Sequence, residues 1–317
     1  MRARAPGKLV LSGAYAVLRG APAVVTAVDR YAEADTEREP GFVTPEVSAA
    51  LSRLPGVRAP WFDASPLRDE RGKLGLGSSA AIVVASLAAL EAERSGSTEN
   101  LGPRVIESAL AAHREAQGGG SGIDVVAAAL GGTLVVRREA AAAGHRVDAA
   151  DRGESTTPSV RPLHVESLPL PADLHLEVWV MGAPASTSEL VRQVLSLEER
   201  EPAHFAHLLG AQTTAALRGE AALRAKSARD FVAALAAQHE ALSALGDASG
   251  APIVTDAVRL LNERAMPGAT VLPSGAGGGD VSLYAGLAPS NGEFRRAAQA
   301  LGLFLLEVRL GARGVHV

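Results

Sequence analysis

The chain has 317 residues, which exceeds the length of one ordinary single-core domain and therefore predicts two fused domains. Hydrophobic residues make up 47% and charged residues 21%, a composition that is typical of folded globular proteins and excludes wholesale disorder. A net charge of −4 without any block of like charges argues against nucleic acid as a partner, and the absence of cysteine excludes disulfides and a cysteine nucleophile.

The N-terminus resembles a secretory signal only superficially. Two arginines precede short apolar runs, but Pro6, Gly7 and Gly13 fall where a continuous apolar segment is needed. No later stretch approaches the ~20 uninterrupted apolar residues that span a membrane. We therefore expect a cytoplasmic protein that has no membrane partner.

The first half of the chain predicts a mixture of strands and apolar helices. Strands are expected at 8–11, 23–28 and 133–136, and helices at 46–54, 80–93, from 99 or 101 to 116, and 124–131. Residues 37–71 contain five prolines, which predicts a loop-bearing insertion around the short helix. Residues 139–162 are poor in apolar side chains and rich in Ala, Gly, Ser, Thr and Pro, and they predict a mobile excursion between two halves.

The second half predicts longer helices between a few strands. Strands are expected at 174–181, 269–272, 280–285 and 303–309, and helices at 188–199, 204–218, 224–245, 252–265 and 291–301. Strands and helices do not alternate strictly, so the pattern favours an α+β fold over a doubly wound parallel sheet.

Three glycine-rich segments lie next to predicted helices or strands, at 73–81, 118–124 and 273–280. Glycine lets the backbone approach a ligand closely, and a helix N-terminus behind such a loop attracts anions. The first segment therefore predicts a phosphate-binding loop, although each segment taken alone is also typical of a flexible turn. Its lysine precedes the glycines, which excludes the P-loop pattern, and it also departs from the dinucleotide-binding Gly-x-Gly-x-x-Gly pattern.

Lysine is rare in this chain, in which nearly all cations are arginine. Only Lys8, Lys73 and Lys226 occur. An exposed surface rarely distinguishes lysine from arginine, so each lysine marks a candidate functional position, with a biased coding composition as the alternative explanation.

Segment 5–18, Ala-Pro-Gly-Lys-Leu-Val-Leu-Ser-Gly-Ala-Tyr-Ala-Val-Leu, and the three glycine-rich segments follow one another in an order that resembles the GHMP kinase superfamily. The resemblance spans residues 5 to about 284. It implies an α+β fold with two lobes, an N-terminal lobe (1–168) with a left-handed βαβ crossover and a C-terminal ferredoxin-like lobe (169–317). It also implies an active site in the cleft between the lobes, with ATP and Mg²⁺ bound by residues 75–79.

Within the superfamily, four features are most similar to phosphomevalonate kinases. They are the third glycine-rich segment, which ends in aspartate, the stretch 112–129, the position of Lys73 directly before Leu-Gly-Leu-Gly-Ser-Ser, and the stretch 183–191. The resemblance implies phosphorylation of phosphomevalonate to diphosphomevalonate for isoprenoid synthesis. Two alternatives stay open: a mevalonate kinase or another alcohol kinase of the superfamily, and a catalytically weak protein that binds a nucleotide or metabolite as a regulator.

The resemblance also implies roles for individual residues. Asp124 is expected to take the proton of the acceptor oxygen or to orient that oxygen, while Lys8 and Lys73 neutralise charge at the transferring phosphoryl group. ATP is expected to contact Gly75, Leu76, Gly77, Ser78, Ser79 and Ala80. The acceptor is expected to contact Ser12, Tyr15, Ser121, Gly122, Ser186, Thr187, Arg192, Ser274, Gly275, Ala276, Gly277 and Asp280.

The metal ligands and the acceptor are less tightly constrained. Ser79 is the first candidate ligand of Mg²⁺ and Ser78 the second, because a hydroxyl at a helix start beside bound phosphates suits that ion. Mevalonate kinases have a glutamate where this chain has His113, and Glu115 is a shifted candidate. The family usually has glutamate at the position of Ala14, so the acceptor stays open. We expect a small-molecule substrate and a monomer or homodimer.

Overall fold

The computed structural model of the protein describes residues 1–70, 72–138, 163–181 and 187–317. Its strands are β1 (Arg2–Ser12), β2 (Ala23–Asp35), β3 (Trp61–Asp63), β4 (Arg68–Asp69), β5 (Gly72–Lys73), β6 (Thr133–Arg138), β7 (Leu163–Ser167), β8 (His175–Met181), β9 (Thr270–Pro273), β10 (Val281–Gly286) and β11 (Leu303–Leu306). Its helices are α1 (Pro45–Leu51), α2 (Ser78–Ser95), α3 (Leu101–Gln117), α4 (Ile123–Leu130), α5 (Thr187–Arg200), α6 (Pro202–Arg224), α7 (Ala228–Ser249), α8 (Asp256–Glu263) and α9 (Gly292–Ala300).

The first half of the chain forms an antiparallel sheet covered by helices. The sheet has the order β1-β2-β6-β7, and β3 pairs with the end of β2. Helix α2 lies against β1 and β2, and its Ala81, Ala85 and Ala88 are fully buried. Small side chains let this helix approach the sheet and its neighbours closely. Because the sheet and other helices cover it, the helix is apolar on most of its faces.

The second half forms a four-stranded antiparallel sheet with the order β11-β8-β10-β9. When its strands are counted in chain order, the spatial order is 4-1-3-2, with helices between the first and second and between the third and fourth strands. This is the arrangement of ferredoxin-like sheets. In its core, Trp179 and Tyr284 contact Phe294 edge to face, with ring centroids 5.7 and 5.1 Å from that of Phe294.

The third glycine-rich segment is attached to the first strand of the chain. The hydroxyl of Ser274 donates to the Val10 carbonyl at 3.0 Å and accepts from the Val10 N–H at 3.1 Å. The C-terminal tail also returns to the first sheet, where His316 bridges to Arg4. These contacts fix the segment after β9 against β1, the strand that carries Lys8.

The predicted α+β class is confirmed, and every helix expected from the sequence is present. The expected strands at 8–11 and 23–28 were too short, because β1 and β2 alternate buried alanine with polar residues, a pattern with little hydrophobic contrast. β11 ends at Leu306 rather than 309, and four short strands, β3, β4, β5 and β7, were not predicted. The excursion expected at 139–162 lies outside the described residues, while the handedness of the crossover and the boundary at 168 stay predictions.

Candidate active site

Strand β1 places Lys8 beside the first glycine-rich loop. Its backbone N–H donates to the Leu76 carbonyl at 2.9 Å, and its Nζ donates to the Gly75 carbonyl at 3.4 Å. Its methylene chain lies over Gly77, where an added β-carbon would be 2.9 Å from Lys8 Cε. Gly77 also has a φ of +75°, which favours glycine. The lysine and the loop therefore pack as one unit.

The loop leads directly into the N-terminus of α2. Gly77 is the N-cap, and no side chain among the described residues caps this helix end. Ser78 is buried and Ser79 half-buried in the first turn, while Leu76 and Ala80 point into the core. The unpaired amide groups and the dipole of a long helix attract an anion here. This is the geometry expected of a phosphate-binding loop.

The third glycine-rich segment lies against the first. A β-carbon on Gly75 would be 2.8 Å from the Cβ of Asp280, so the two segments are in direct contact. Gly275 has a φ of +72° and Gly277 a φ of +81°. A β-carbon on Gly277 would be only 2.1 Å from the Ile253 carbonyl oxygen, so no other residue fits there. Asp280 is thereby held close to the phosphate-binding loop.

The charges of two carboxylates act on the amine of Lys8. Burial lowers the pKa of Lys8 below its ordinary value, and the charges of Asp124 and Asp280 oppose that change without reversing it. The sequence places these three residues in separate motifs, and the structure brings them together. A lysine that interacts electrostatically with two carboxylates, beside a helix end that attracts anions, suits the transfer of a charged phosphoryl group.

Asp124 lies in the first turn of α4, behind a turn formed by the half-buried Ser121 and Gly122. Its Oδ1 accepts from the Val125 N–H at 3.0 Å, and its Oδ2 lies 3.4 Å from Nε2 of His113. The side chain keeps 24% of its surface exposed. The carboxylate is therefore held by two groups of the protein and still accessible to a ligand.

Ser12 and Tyr15 stabilise the turn after β1. The buried hydroxyl of Ser12 donates to Oε1 of Gln238 at 3.3 Å, and the Tyr15 hydroxyl donates to the Ala276 carbonyl at 2.7 Å. Burial raises the pKa of Tyr15, so this phenol stays neutral. Ala14 is also buried. Both hydroxyls thus have partners within the protein, and Tyr15 connects the first motif to the third.

Other residues expected in the site are exposed at the surface. Lys73 is exposed on the short strand β5, and Thr187 is exposed at the start of α5. Arg192 has 74% of its side chain exposed and forms an ion pair with Glu189. None of the contacts described for these three side chains involves Asp124 or Lys8. Ser186 lies outside the described residues.

A magnesium ion fits the site only if bound phosphates supply some of its ligands. Among residues 1–70, 72–138, 163–181 and 187–317, no group of three or more His, Asp and Glu is arranged to hold a metal. Magnesium commonly uses few protein ligands together with waters and substrate phosphates, and the Ser79 hydroxyl lies where such phosphates would bind. Glu115 instead pairs with Arg53 at 2.5 Å, and His113 faces Asp124.

Several polar residues near the site were not predicted. Arg114 and Arg138 line a depression beside Ser121, together with His113. Glu46 is a buried carboxylate on α1 that accepts a hydrogen bond from Gln117. Arg114 lies within the stretch 112–129, which carries part of the family resemblance, so the sequence offered a signal for this residue. Nothing in the sequence pattern of 37–71 marks Glu46.

No helix in the described part of the chain combines the length and apolar character that a membrane span requires.

Comparison with known proteins supports the expected family. The family of GHMP kinases, N terminal domain, matches residues 71–132. A phosphomevalonate kinase of Streptomyces sp. (strain CL190) is 30% identical over 332 residues, covering 88% of each chain. A mevalonate kinase of Archaeoglobus fulgidus is 31% identical over 144 residues, which cover 39% of this chain and 48% of that protein.

Solved structures show the same fold. Streptococcus pneumoniae phosphomevalonate kinase in complex with phosphomevalonate and AMPPNP superposes with a TM-score of 0.74, at 18% identity, covering 98% of this chain and 99% of that one. The sequence match to the Streptomyces relative extends over most of both proteins. The chain therefore belongs to the GHMP kinases, a family of ATP-dependent small-molecule kinases, and resembles phosphomevalonate kinase along most of its length.

Proposed function

We propose that this protein is a phosphomevalonate kinase, which transfers the γ-phosphoryl group of ATP to phosphomevalonate and releases diphosphomevalonate and ADP. The observation that carries the proposal is the position of Lys8, whose amine donates to Gly75 of the loop and interacts electrostatically with Asp124 and Asp280. The relative that covers 88% of the chain and is named phosphomevalonate kinase supports this choice of acceptor.

The phosphate-binding loop is the proposed site of the nucleotide. The backbone of residues 75–80 and the N-terminus of α2 receive the phosphates, since the helix end has unpaired amide groups. Ser79, with Ser78 beside it, holds Mg²⁺, which neutralises phosphate charge when it is bound. Lys8 approaches the transferring group from β1 and adds a second positive charge.

The attacking atom is a phosphate oxygen of the acceptor. It forms the new bond to the γ-phosphorus as the bond to the β–γ bridging oxygen breaks, and ADP leaves with that electron pair. A phosphate monoester has its second pKa near ~6, so this oxygen is largely ionised at neutral pH and no strong base is needed. We therefore assign Asp124 mainly to orienting the acceptor, with Lys8 beside it.

We propose that the acceptor binds between the turn at 121–122 and the segment at 274–280. The proposed contacts to its polar groups come from Ser121, Gly122, Thr187 and Arg192, with Lys73 as an additional cation. Arg114 and Arg138 flank the same turn and supply the charge that a phosphate ester requires.

We also propose that the boundary between the two lobes lies at residue 168, between the strands of the two sheets.

Mevalonate kinase is the second candidate, favoured by the partial match to the Archaeoglobus relative. ADP release should be measured with phosphomevalonate, mevalonate and a panel of other alcohols and phosphate esters. We expect turnover with phosphomevalonate to exceed that with every other acceptor. Turnover with mevalonate alone would make the protein a mevalonate kinase, and nucleotide binding without turnover on any acceptor would favour a regulatory protein.

A further inference from the structure

We infer that His113 is a positioning residue, which fixes the carboxylate of Asp124 and is itself supported by a buried polar pair, Glu46 and Gln117. The inference rests on the proposed kinase function, in which Asp124 orients the acceptor. It assigns a role to the position where mevalonate kinases have a glutamate, and to the short helix in the proline-rich insertion.

The contact between His113 and Asp124 joins two helices. His113 lies on α3 with 9% of its surface exposed, and its Nε2 is 3.4 Å from Oδ2 of Asp124 on α4. The other oxygen of that carboxylate accepts from the Val125 N–H at 3.0 Å. Each oxygen of Asp124 therefore has a protein group beside it, the Val125 N–H at Oδ1 and the imidazole at Oδ2, and these neighbours restrict rotation of the carboxylate.

Glu46 on α1 interacts electrostatically with this imidazole. It has 3% of its surface exposed, and its Oε1 accepts from Nε2 of Gln117 at 2.6 Å. Gln117 follows His113 by one turn of α3, so both residues lie on the same helix face. The hydrogen bond therefore joins α1 to α3 next to the histidine.

Glu46 is charged in this environment. Burial alone raises its pKa, but hydrogen bonds from its own backbone, Gln117 and Thr44, together with the nearby His113, lower the pKa overall. The imidazole therefore interacts with two carboxylates: it lies 3.4 Å from Asp124, and it acts electrostatically on the buried Glu46. A histidine confined by neighbouring groups keeps its ring in a defined orientation towards its functional neighbour.

Orientation matters because phosphoryl transfer depends on positioning more than on covalent chemistry of the protein. Asp124 is partly exposed, and without a second partner its Oδ2 is free to rotate towards solvent. His113 prevents this and keeps the carboxylate directed at the acceptor and Lys8. Its Nε2 is engaged by Asp124, and neutral imidazole is a poor ligand for Mg²⁺, so the contact favours positioning over metal binding.

The kinetic test compares two substitutions of the histidine. His113→Leu removes the N–H, whereas His113→Gln keeps a donor at a similar reach. We expect His113→Leu to lower kcat by about 10- to 100-fold, with KM for ATP and for the acceptor changed less than about 3-fold, and His113→Gln to recover most of kcat. His204→Leu is the matched control, because His204 contacts Glu201 at 3.1 Å on the exposed surface of α6, and it should leave kcat unchanged.

A double-mutant cycle separates positioning from a general loss of packing. In an Asp124→Asn background, His113→Leu should lower the residual kcat by less than about 2-fold, because the group through which it acts is already altered. Equal effects in both backgrounds, equal losses in His113→Leu and His113→Gln, or an unchanged kcat in His113→Leu would each overturn the inference.

A spectroscopic measurement keeps the inference testable if a leucine variant fails to fold, or if no acceptor is turned over. The chain has eight histidines, and the ¹⁵N resonances of His113 are assigned by their absence in His113→Gln. We expect a proton on Nε2 and a shift of that resonance in Asp124→Asn. An unprotonated Nε2, or a resonance that Asp124→Asn leaves unmoved, would refute positioning, whereas lack of turnover with this resonance intact would refute only the proposed function.

Discussion

The amine of Lys8 donates to the carbonyl of Gly75 at 3.4 Å, and this contact connects the first strand to the phosphate-binding loop. The same loop accepts a hydrogen bond from the Lys8 backbone through Leu76. The lysine is therefore prepositioned by the strand, and we expect its flexible side chain to reach a bound phosphate without movement of the backbone. Little ordering of the protein is then needed when the nucleotide binds.

Replacing Lys8 should lower turnover more than it lowers ATP affinity. Lys8→Met should lower kcat by on the order of 10²-fold or more, while ATP affinity changes only a few-fold, because its charge acts on the transition state. Lys226→Met is the matched control, since Lys226 is exposed after α6, and its kinetics should match those of the unmodified protein. A Lys8→Met protein with unchanged turnover would remove Lys8 from the mechanism.

The same substitution should not weaken the fold at neutral pH. The folded-state pKa of Lys8 lies below its ordinary value of 10.5, so the charged amine carries a folding cost at pH values below the folded pKa, and the cost disappears as pH rises towards 10.5. Removing the charge removes this cost. We expect the Tm of Lys8→Met at neutral pH to equal or exceed that of the unmodified protein, as measured by calorimetry.

Activity should fall at alkaline pH for the same reason. Because the pKa of Lys8 is lowered, the free enzyme loses this charge at a lower pH than an ordinary lysine would, and kcat/KM for ATP should decline there. Lys8→Arg keeps its charge to higher pH and should shift that decline upward, whatever its absolute activity. Circular dichroism at each pH excludes unfolding, and coincident declines in both proteins would contradict the assignment to Lys8.

Asp124 should affect turnover and not nucleotide binding. We expect Asp124→Asn to lower kcat by on the order of 10²-fold or more, with ATP affinity within a few-fold of the unmodified protein in calorimetric titration. Asp230→Asn is the control, because Asp230 occupies the first turn of α7 as Asp124 does that of α4, and there the carboxylate is exposed. If both variants keep full turnover, Asp124 is only a helix-terminal residue.

The two ends of α2 offer a matched pair of glycines. Gly77 and Gly96 have φ values of +75° and +66°, so valine is similarly strained at both positions. A β-carbon at Gly77 would lie 2.9 Å from the side chain of Lys8, in the space where we propose that phosphates bind, whereas nothing lies within 4 Å at Gly96. Gly77→Val should abolish ATP binding and Gly96→Val should not. Normal ATP affinity in Gly77→Val would place the nucleotide elsewhere.

The sequence predicts what is encoded locally and misses contacts between distant segments. Lys8, Gly77 and Asp124 were predicted because each belongs to a short motif beside a strand or a helix start. The hydrogen bond of Ser12 to Gln238 joins positions 226 residues apart, and no periodic pattern encodes such a pairing. Nε2 of Gln238 is buried without a hydrogen-bond partner among the described residues, and the sequence does not predict this either.

The contact of His113 with Asp124 illustrates the same limit at shorter range. Both residues were singled out from the sequence, but as a metal-site position and a catalytic group, with no link between them. The link depends on how α3 and α4 pack, which is decided by buried residues such as Ala109 and Val125. Helix packing of this kind depends on the shape of the whole interface, which the spacing of a motif does not carry.

The acceptor preference is the prediction that tests substrate identity. Phosphomevalonate carries a phosphate that mevalonate lacks, and a site with cations for that phosphate leaves them unpaired when mevalonate binds. We expect kcat/KM for phosphomevalonate to exceed that for mevalonate by on the order of 10²-fold or more.

The basic residues around the site should divide by their effect on this preference. Arg114→Ala and Arg138→Ala should raise KM for phosphomevalonate and leave KM for ATP unchanged, because both side chains line the depression beside Ser121. Lys73→Ala and Arg192→Ala should erode the preference if the exposed cations also reach the acceptor. Arg264→Ala, at the end of α8, serves as a control with no expected effect. A preference that survives all four substitutions would show that the acceptor phosphate is recognised elsewhere. Position 14, where this chain has alanine and the family usually has glutamate, would then be the next position to test for acceptor selection.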